Sequence, residues 1–249
     1  MAIIWQKQSA QNLYQVRSAG RTTRLYKNNV LHSEFNPDRI LTRGVWDLFL
    51  GGSLFRPHQS LHRILVLGVG GGSALSQLNY CYRLDKIIGI ELDPIHVYIG
   101  KKFFDLDQPN IELKNQAASD FLNRYRGKKF DIIIDDLFDG KQGNPERSQN
   151  TNAIWINQLK KQLNPQGVLM FNFDDSLALK QSTIIAQIRH DRHLNHAKIL
   201  ESERHANQVV ITSSSPLLKR RMNTQRQRLG EINSKLKQLD FKVKSVAIQ

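Results

Sequence analysis

Carboxylates follow directly on runs of apolar residues at two places in this sequence. Glu91 and Asp93 end one such run, and Asp135 and Asp136 end another. Runs that are apolar at every position are typical of strands covered on both faces, as in parallel sheets. Because the carboxyl ends of parallel strands share one edge of a sheet, we expect all four side chains at that edge. Carboxylates there can bind sugar hydroxyls, hold a cation or accept a proton.

A glycine-rich turn lies between the first buried-type strand and the helical pattern that follows it. Gly68, Gly70 and Gly72 would let a ligand approach the backbone, and the helix would direct free N–H groups at it. A purely structural turn uses the same residues, so the loop alone does not decide. Glu91 lies 23 residues after Gly68, a spacing typical of the acid that binds ribose hydroxyls in nucleoside-binding βαβ units. The pair predicts a nucleoside site.

The form of the loop favours one kind of nucleoside. It fits G-x-G-x-G, as in class I methyltransferase folds, and Ser73 stands where a dinucleotide fingerprint has its last glycine. An adenosyl-sulfonium ligand carries no phosphate, so it needs close backbone approach and a ribose carboxylate more than an anion site. We therefore favour it over NAD.

Strand and helix patterns alternate through the middle of the chain. Strands are predicted near 63–67, 87–91, 111–114, 130–136 and 168–173, with helices between them and one helix over 176–189. Two further strands, 198–200 and 208–212, have no helix between them and predict an antiparallel edge. The expected fold is therefore α/β, a Rossmann-like class I methyltransferase fold with a mostly parallel sheet.

Three regions are expected along the chain. Residues 1–61 predict an N-terminal β-hairpin unit and a helix that enters at 36–38 and ends at Gly51-Gly52. Residues 62–215 predict the nucleoside-binding domain. Residues 216–249 predict a basic C-terminal helix whose apolar seam runs from Leu218 to Leu239. That seam favours docking on the parent domain, with a homodimer helix as the alternative.

The charge distribution and the composition limit which kinds of partner and metal site the protein can have. Residues 1–61 hold eight Lys or Arg against three Asp or Glu, and residues 216–249 hold nine against two. We favour a solvated basic face over nucleic-acid binding by these ends. No stretch approaches the ~20 apolar residues of a membrane span, and the first residues lack a leader pattern, so we expect a cytoplasmic protein. One cysteine excludes a cysteine-rich metal site, and His190, His193 and His196 follow a helix end, so no metal is predicted.

Five segments together resemble the spermidine/spermine synthase (polyamine aminopropyltransferase) family over about residues 12–213. They are 25–33, 66–72, 89–94, 130–139 and 163–167. That family transfers an aminopropyl group from decarboxylated S-adenosylmethionine to an amine and releases methylthioadenosine. The resemblance implies that Glu91 binds the ribose, that Asp136 takes the proton from the attacking amine and that Asp139 holds the cationic substrate. Asp93 joins Glu91 and the three loop glycines as a candidate for binding the donor.

Several positions depart from the family's pattern. Gly71 stands where the family carries an aspartate for the donor, and Ala117 stands where an aspartate accepts from the adenine amino group. Asp120, three residues further along a predicted helix, is a candidate replacement for that acceptor. His32 replaces a substrate-contacting glutamine, and Val45-Trp46-Asp47 replaces a Tyr-His-Glu motif.

These departures keep three functions open. The predicted function is aminopropyl transfer to an amine, with decarboxylated S-adenosylmethionine or S-adenosylmethionine as donor and methylthioadenosine as product. The first alternative is an S-adenosylmethionine-dependent methyltransferase with a non-polyamine acceptor. The second is a catalytically silent protein that binds nucleosides or nucleic acid.

Overall fold

The computed structural model describes residues 1–141 and 144–246, with the backbone alone for 139–141 and 144–145. The strands are β1 (Ala2–Ser9), β2 (Asn12–Ala19), β3 (Thr22–Lys27), β4 (Val30–Phe35), β5 (Arg63–Leu67), β6 (Lys86–Glu91), β7 (Ile111–Asn115), β8 (Phe130–Asp135), β9 (Phe138–Lys141), β10 (Asn144–Arg147), β11 (Leu163–Phe173), β12 (His196–Ser202), β13 (His205–Ser213) and β14 (Lys242–Ser245). The α-helices are α1 (Trp46–Ser53), α2 (Ser73–Cys81), α3 (Pro94–Phe103), α4 (Ala118–Arg124), α5 (Ala153–Gln162), α6 (Ser176–Gln181), α7 (Ile184–His190) and α8 (Lys219–Ile232).

The central sheet has eight strands in the order β14-β12-β13-β11-β8-β5-β6-β7. Strands β11, β8, β5, β6 and β7 are parallel to one another, whereas the pairs β11–β13, β13–β12 and β12–β14 are each antiparallel. The predicted mixed sheet with an antiparallel edge is therefore confirmed. Strand β5 lies between β6 and β8, so the glycine loop emerges between the two strands that end in acids. This is the switch point where open α/β sheets bind ligands.

Each strand of the centre is buried on both sides, which explains its uninterrupted apolar sequence. Along β5, Ile64 and Val66 join one core cluster, while Leu65 and Leu67 join the other. Helices α1, α2, α3 and α8 contribute to the first cluster, and α4, α5, α6 and α7 contribute to the second. Because side chains alternate between the two faces of the sheet along each strand, the position of a polar residue at the strand's end determines on which face its side chain lies.

The N-terminal unit is a four-stranded antiparallel sheet in the order β1-β2-β3-β4. The helix predicted to enter at 36–38 begins only at Trp46. Arg43 has a φ of 64°, a left-handed conformation that a helix cannot contain. Gly51 and Gly52 lie inside α1 instead of ending it. The ring of Phe241 packs on the first and Met170 on the second, where a Cβ would stand 2.8 Å from each.

Two helices also end earlier than the sequence pattern predicts. The helix over 176–189 is divided into α6 and α7, because the hydroxyl of Ser182 donates to the carbonyl of Leu179 and that of Thr183 donates to the carbonyl of Thr151. The C-terminal helix α8 ends at Ile232, and the chain continues as a short 3-10 helix and β14.

The C-terminal segment docks on the parent domain. Its buried apolar side chains belong to the core cluster on the α1 face: Met222, Leu229, Leu236 and Leu239. Strand β14 then pairs with β12 as the outermost strand of the central sheet. Among the described residues, no helix is long and apolar enough to cross a membrane.

Candidate active site

The three loop glycines are required by their surroundings. Gly68, Gly70 and Gly72 have φ values of 84°, 55° and 105°, which favour glycine. A Cβ at Gly68 would stand 2.1 Å from the carbonyl oxygen of Asp136, and a Cβ at Gly70 would stand 2.8 Å from that of His32. Because Gly68 and Gly70 lack side chains, the backbone at the end of β8 and in β4 packs directly against the loop.

Glu91 braces the glycine loop from the end of β6. Its Oε2 accepts hydrogen bonds from the amides of Val69 and Gly70 at 3.0 and 2.8 Å, and its Oε1 accepts one from the amide of Asp93 at 2.9 Å. Burial alone would raise the pKa of Glu91, but His96 and the hydrogen bonds from these amides lower it below its usual value. Glu91 is therefore held as a carboxylate, and Oε1 retains a lone pair for a further donor.

The rest of the loop is held by β4. The Ser33 hydroxyl oxygen accepts from the amides of Gly71 and Gly72 at 2.7 and 3.2 Å. The prediction of free N–H groups concerned the helix that follows the loop; the four loop amides that precede it are bound by Glu91 and Ser33. A phosphate would find few free donors here, so the geometry fits a ligand without phosphate.

Asp93 joins the N-terminal sheet to helix α3. Its Oδ1 accepts from the amide of Ile95 at 2.9 Å, so it caps α3. Its Oδ2 accepts from the Tyr14 hydroxyl at 2.6 Å and from the Lys27 ammonium at 3.2 Å. Burial opposes the charge, but these hydrogen bonds and nearby His96 lower the pKa of Asp93. Asp93 has a structural role, and its part in donor binding stays a prediction.

Two histidines complete this side of the site. His96 is buried on α3, with Nδ1 3.7 Å from Oε1 of Glu91; its Nε2 lies 4.0 Å from Oδ2 of Asp93 and makes no hydrogen bond among the described residues. The ring of His32 lies 5.1 Å from that of His96. Burial, together with the charges of His96 and Lys27, lowers the pKa of His32 to about 4, so His32 is neutral at pH 7. Sequence reasoning missed His96, whose only signal was its position three residues after Asp93.

Asp136 follows β8, beside the glycine loop. Its Oδ1 accepts a hydrogen bond from the Asn172 amide nitrogen at 2.8 Å. Burial, helped by the charges of Asp135 and Glu91, raises the pKa of Asp136 to about 6, although Asn172 and Arg147 act in the opposite direction. A carboxylate with this pKa is ionised at pH 7 and is a much better proton acceptor than an ordinary aspartate.

Asp135 serves a different purpose, although it is the neighbour of Asp136. Its Oδ2 accepts from the Arg147 guanidinium at 2.9 Å and from the Trp155 indole at 2.8 Å, and its side chain is fully buried. Arg147 also donates to the carbonyl of Asn172 at 2.5 Å. Sequence reasoning missed Arg147, Trp155 and Asn172, because a polar residue far away in the chain gives no periodic signal.

The remaining predicted residues are placed less directly. Asp139 lies in β9, and its side chain is outside the described part of the structure. Asp120 is exposed in the first turn of α4, after Ala117, which gives that helix no side-chain cap. The roles of Asp139 and Asp120 stay predictions. In residues 1–141 and 144–246, no group of three or more His, Cys, Asp or Glu is placed to hold a metal ion.

The departures from the family pattern have structural correlates. At Gly71, a Cβ would stand 2.9 Å from Cβ of Ser33 and 3.0 Å from the ring of Phe104. The room that an aspartate would need there is filled. Asp47, at the Tyr-His-Glu position, accepts from the amides of Thr42 and Arg43 and thus organises the turn before α1.

Comparison with known proteins gives a consistent result. The family model of the spermine/spermidine synthase domain matches residues 50–202. A polyamine aminopropyltransferase of Vibrio vulnificus is 32% identical over 127 residues, which are 49% of this chain and 40% of that protein. The chain therefore matches less than half the length of this relative.

Solved structures share the fold over most of the chain. A probable spermidine synthase from Corynebacterium glutamicum has a TM-score of 0.76 at 15% identity, over 99% of this chain and 92% of that one. A spermidine synthase in complex with the transition state analogue AdoDATO has a TM-score of 0.68 at 12% identity, over 92% and 78%. With the family model spanning residues 50–202, the chain belongs to the spermine/spermidine synthase family.

Proposed function

We propose that this protein binds an adenosyl-sulfonium donor beside the glycine loop and transfers its aminopropyl group to an amine. The observation that carries the proposal is the position and environment of Asp136. It lies at the switch point of the sheet, against Gly68, with a pKa raised to about 6. Ligands bind at this point in open α/β sheets. The pKa of about 6 keeps Asp136 ionised at pH 7, as a general base must be.

The proposed reaction is a displacement at carbon. The lone pair of the acceptor amine forms a bond to the aminopropyl carbon next to the sulfonium, and the carbon–sulfur bond breaks. Its electron pair goes to sulfur, which leaves as methylthioadenosine. The nitrogen loses its extra proton to the carboxylate of Asp136, which the Asn172 amide orients at 2.8 Å. Asp139 is the proposed partner of the substrate cation.

The donor site is supported by Glu91. Its carboxylate is fixed by three backbone amides, so a ribose hydroxyl would meet a pre-oriented acceptor at Oε1. The engaged loop amides fit a nucleoside that has no phosphate. Asp93 and Asp120 are the further candidates for contacts to the donor.

Turnover assays with wild type and two variants test the proposal. Decarboxylated S-adenosylmethionine and S-adenosylmethionine are each offered with a panel of amines, and the nucleoside product is identified by mass. We expect methylthioadenosine from the decarboxylated donor, a loss of roughly 10²- to 10⁴-fold in turnover for Asp136→Asn, and wild-type rates for the exposed control Asp107→Asn.

The product separates the alternatives. S-adenosylhomocysteine would make the protein a methyltransferase, a function that the same fold supports. If neither donor turns over but calorimetry shows methylthioadenosine binding, the protein is a silent nucleoside binder. If Asp136→Asn matches wild type, Asp136 is not the proton acceptor.

A further inference from the structure

A cavity that lies away from the glycine loop is lined by basic side chains. Its volume is about 490 Å³, and it is enclosed by the segment before α1, the turn between β12 and β13, and the segment after α8. Four cations contribute to the lining: Arg39, Arg43, Arg204 and Lys235; His205 also lines the cavity, but burial lowers its pKa, so its ring is neutral at pH 7. These residues come from three separate parts of the chain, so the fold and not the local sequence brings them together.

The acidic side chains of the lining do not balance this charge. Asp47 is already bound, because its Oδ1 accepts from the Thr42 amide at 2.9 Å and from Gln77 at 2.6 Å, and its Oδ2 accepts from the Arg43 amide at 2.9 Å. The other acid is Asp240, whose side chain is exposed. The cavity therefore has a surplus of positive charge.

Several donors of the lining have no partner. Nε of Arg39 is buried without a hydrogen bond among the described residues, although the same guanidinium also binds Glu34 at 2.7 Å. Within residues 1–141 and 144–246, no ion pair engages the guanidinium of Arg43 or Arg204. Buried donors are normally hydrogen-bonded, so Nε of Arg39 points to a missing polar ligand, and the exposed guanidinium groups of Arg43 and Arg204 are free to bind it.

The cavity shares a sheet face and a sheet edge with Asp136. A row of hydrogen bonds crosses the strand ends, since Asn172 donates to Asp136 at 2.8 Å and Asn207 donates to Asn172 at 3.3 Å. His205 lies two residues before Asn207 on β13 and therefore on the same face. By strand register, Asp136 and His205 lie two strands apart across the sheet and four residues apart along it. Standard strand spacings then place their Cα atoms ~17 Å from each other.

We propose that the acceptor carries a carboxylate or phosphate at the end remote from its reacting amine, and that this cavity binds that anion. The inference rests on the proposed function, which places the amine at Asp136. An extended acceptor can span the separation. A polyamine would instead bring its second ammonium among the arginines, where like charges repel.

Calorimetry on the full chain, with amines matched in length, tests whether the cavity binds an anion at the remote end of the acceptor. The probes are 8-aminooctanoate, 8-aminooctyl phosphate and 1,8-diaminooctane, with longer pairs of the same kinds. We expect one of the two anionic amines to bind at least ten-fold more tightly than the diamine, and the two heads distinguish carboxylate from phosphate. Arg43→Gln and Arg204→Gln should each weaken that binding about ten-fold and leave the diamine unaffected or improved.

The control is Arg220→Gln, an exposed arginine on α8 outside the cavity, which should change nothing. Equal or tighter binding of the diamine, no binding of any probe, or insensitivity to both arginine variants would overturn the inference. Turnover with decarboxylated S-adenosylmethionine separates the two proposals. Methylthioadenosine release without preference for the anionic amines removes this inference alone, whereas anion-selective binding without any release removes the proposed function and leaves the anion site standing.

Discussion

At the scale of single residues, the environment of Asp136 favours its neutral form. The pKa of about 6 in the folded protein exceeds the ordinary aspartate value of 3.8, so the folded state binds the proton more tightly than the unfolded chain. Stability therefore falls as pH rises from about 4 to 6, and the full penalty is present above that range. At roughly 1.4 kcal/mol per pKa unit, the penalty is about 1–3 kcal/mol.

Asp136→Asn should therefore stabilise the fold at pH 8 by about 1–3 kcal/mol and have little effect at pH 4. Asn keeps an oxygen for the Asn172 amide and removes only the buried charge. Urea unfolding of wild type and variant at both pH values measures the difference. If the variant is equally destabilised at pH 4 and pH 8, burial of the ionised Asp136 carboxylate does not cost the folded protein stability.

The same pKa sets the pH profile of transfer. Because the base must be ionised, kcat/KM should rise with pH through about 6 and then level off. Replacing Asn172 by Leu removes a hydrogen bond that lowers the pKa of Asp136, so the rise should move to higher pH. Rates that are flat between pH 5 and 7, or a profile that stays in place in Asn172→Leu, would contradict this account of Asp136.

Gly71 and Ala117 can be given the family's aspartates one at a time. At Gly71 the new Cβ meets Ser33 and Phe104 at 2.9 and 3.0 Å, so Gly71→Asp should destabilise the fold by about 1–3 kcal/mol. Ala117 precedes α4 with extended backbone and no cap, so Ala117→Asp should stabilise it by about 0.5–2 kcal/mol. Thermal unfolding of the two variants measures both, and a Gly71→Asp variant as stable as wild type would show that the loop has room.

At the scale of elements, the contact between β4 and the glycine loop decides how the site is assembled. The Ser33 hydroxyl is the acceptor for the amides of Gly71 and Gly72. Ser33→Ala leaves the buried amide of Gly71 unpaired, which costs about 1–3 kcal/mol, while the amide of Gly72 keeps its hydrogen bond to the carbonyl of Val69 at 2.9 Å. We expect a lower Tm and weaker binding of methylthioadenosine, whereas Ser33→Thr should retain both. Wild-type stability and binding in Ser33→Ala would mean that β4 does not organise the loop.

The elements themselves were predictable where one physical rule dominates. The strands β5, β6 and β8 are apolar at every position because both faces are covered, and that pattern stands in the sequence unambiguously. The start of α1 was not predictable, because Asp47 and the left-handed Arg43 override a helical pattern. The partners of the acids were not predictable either: Ser33 and Asn172 reach their targets only through tertiary packing.

At the scale of the whole molecule, the basic ends are part of the fold. Helix α8 buries Met222 and Leu229 in the core, so deletion of residues 216–249 would damage the domain itself. The clean test of nucleic-acid binding substitutes the exposed Arg220 and Arg228 by Gln. For wild type, we expect no electrostatic binding of oligonucleotides, the kind of binding whose affinity falls steeply as the salt concentration rises. A steep salt dependence that flattens in the double variant would replace the solvated-face interpretation.

The outermost strand β14 protects the edge of the central sheet. It pairs with β12 through residues Lys242–Ser245, and Lys242 and Lys244 lie against Glu203 and Glu201. Ending the chain after Phe241 keeps the ring that packs on Gly51 but exposes the backbone of β12. We expect a Tm lower by roughly a few degrees and concentration-dependent association, because an unpaired edge is a template for other chains.

Full-length protein with Lys242→Gln and Lys244→Gln separates the two contributions of this strand. It keeps the backbone pairing and loses only exposed ion pairs, which contribute little to stability. Its Tm and monomeric state should therefore match wild type, as measured by thermal unfolding and light scattering over a range of concentrations. If this variant associates as readily as the truncated chain, charge and not strand pairing keeps β12 from other molecules. If the truncated chain stays monomeric at the wild-type Tm, β14 is dispensable for the sheet.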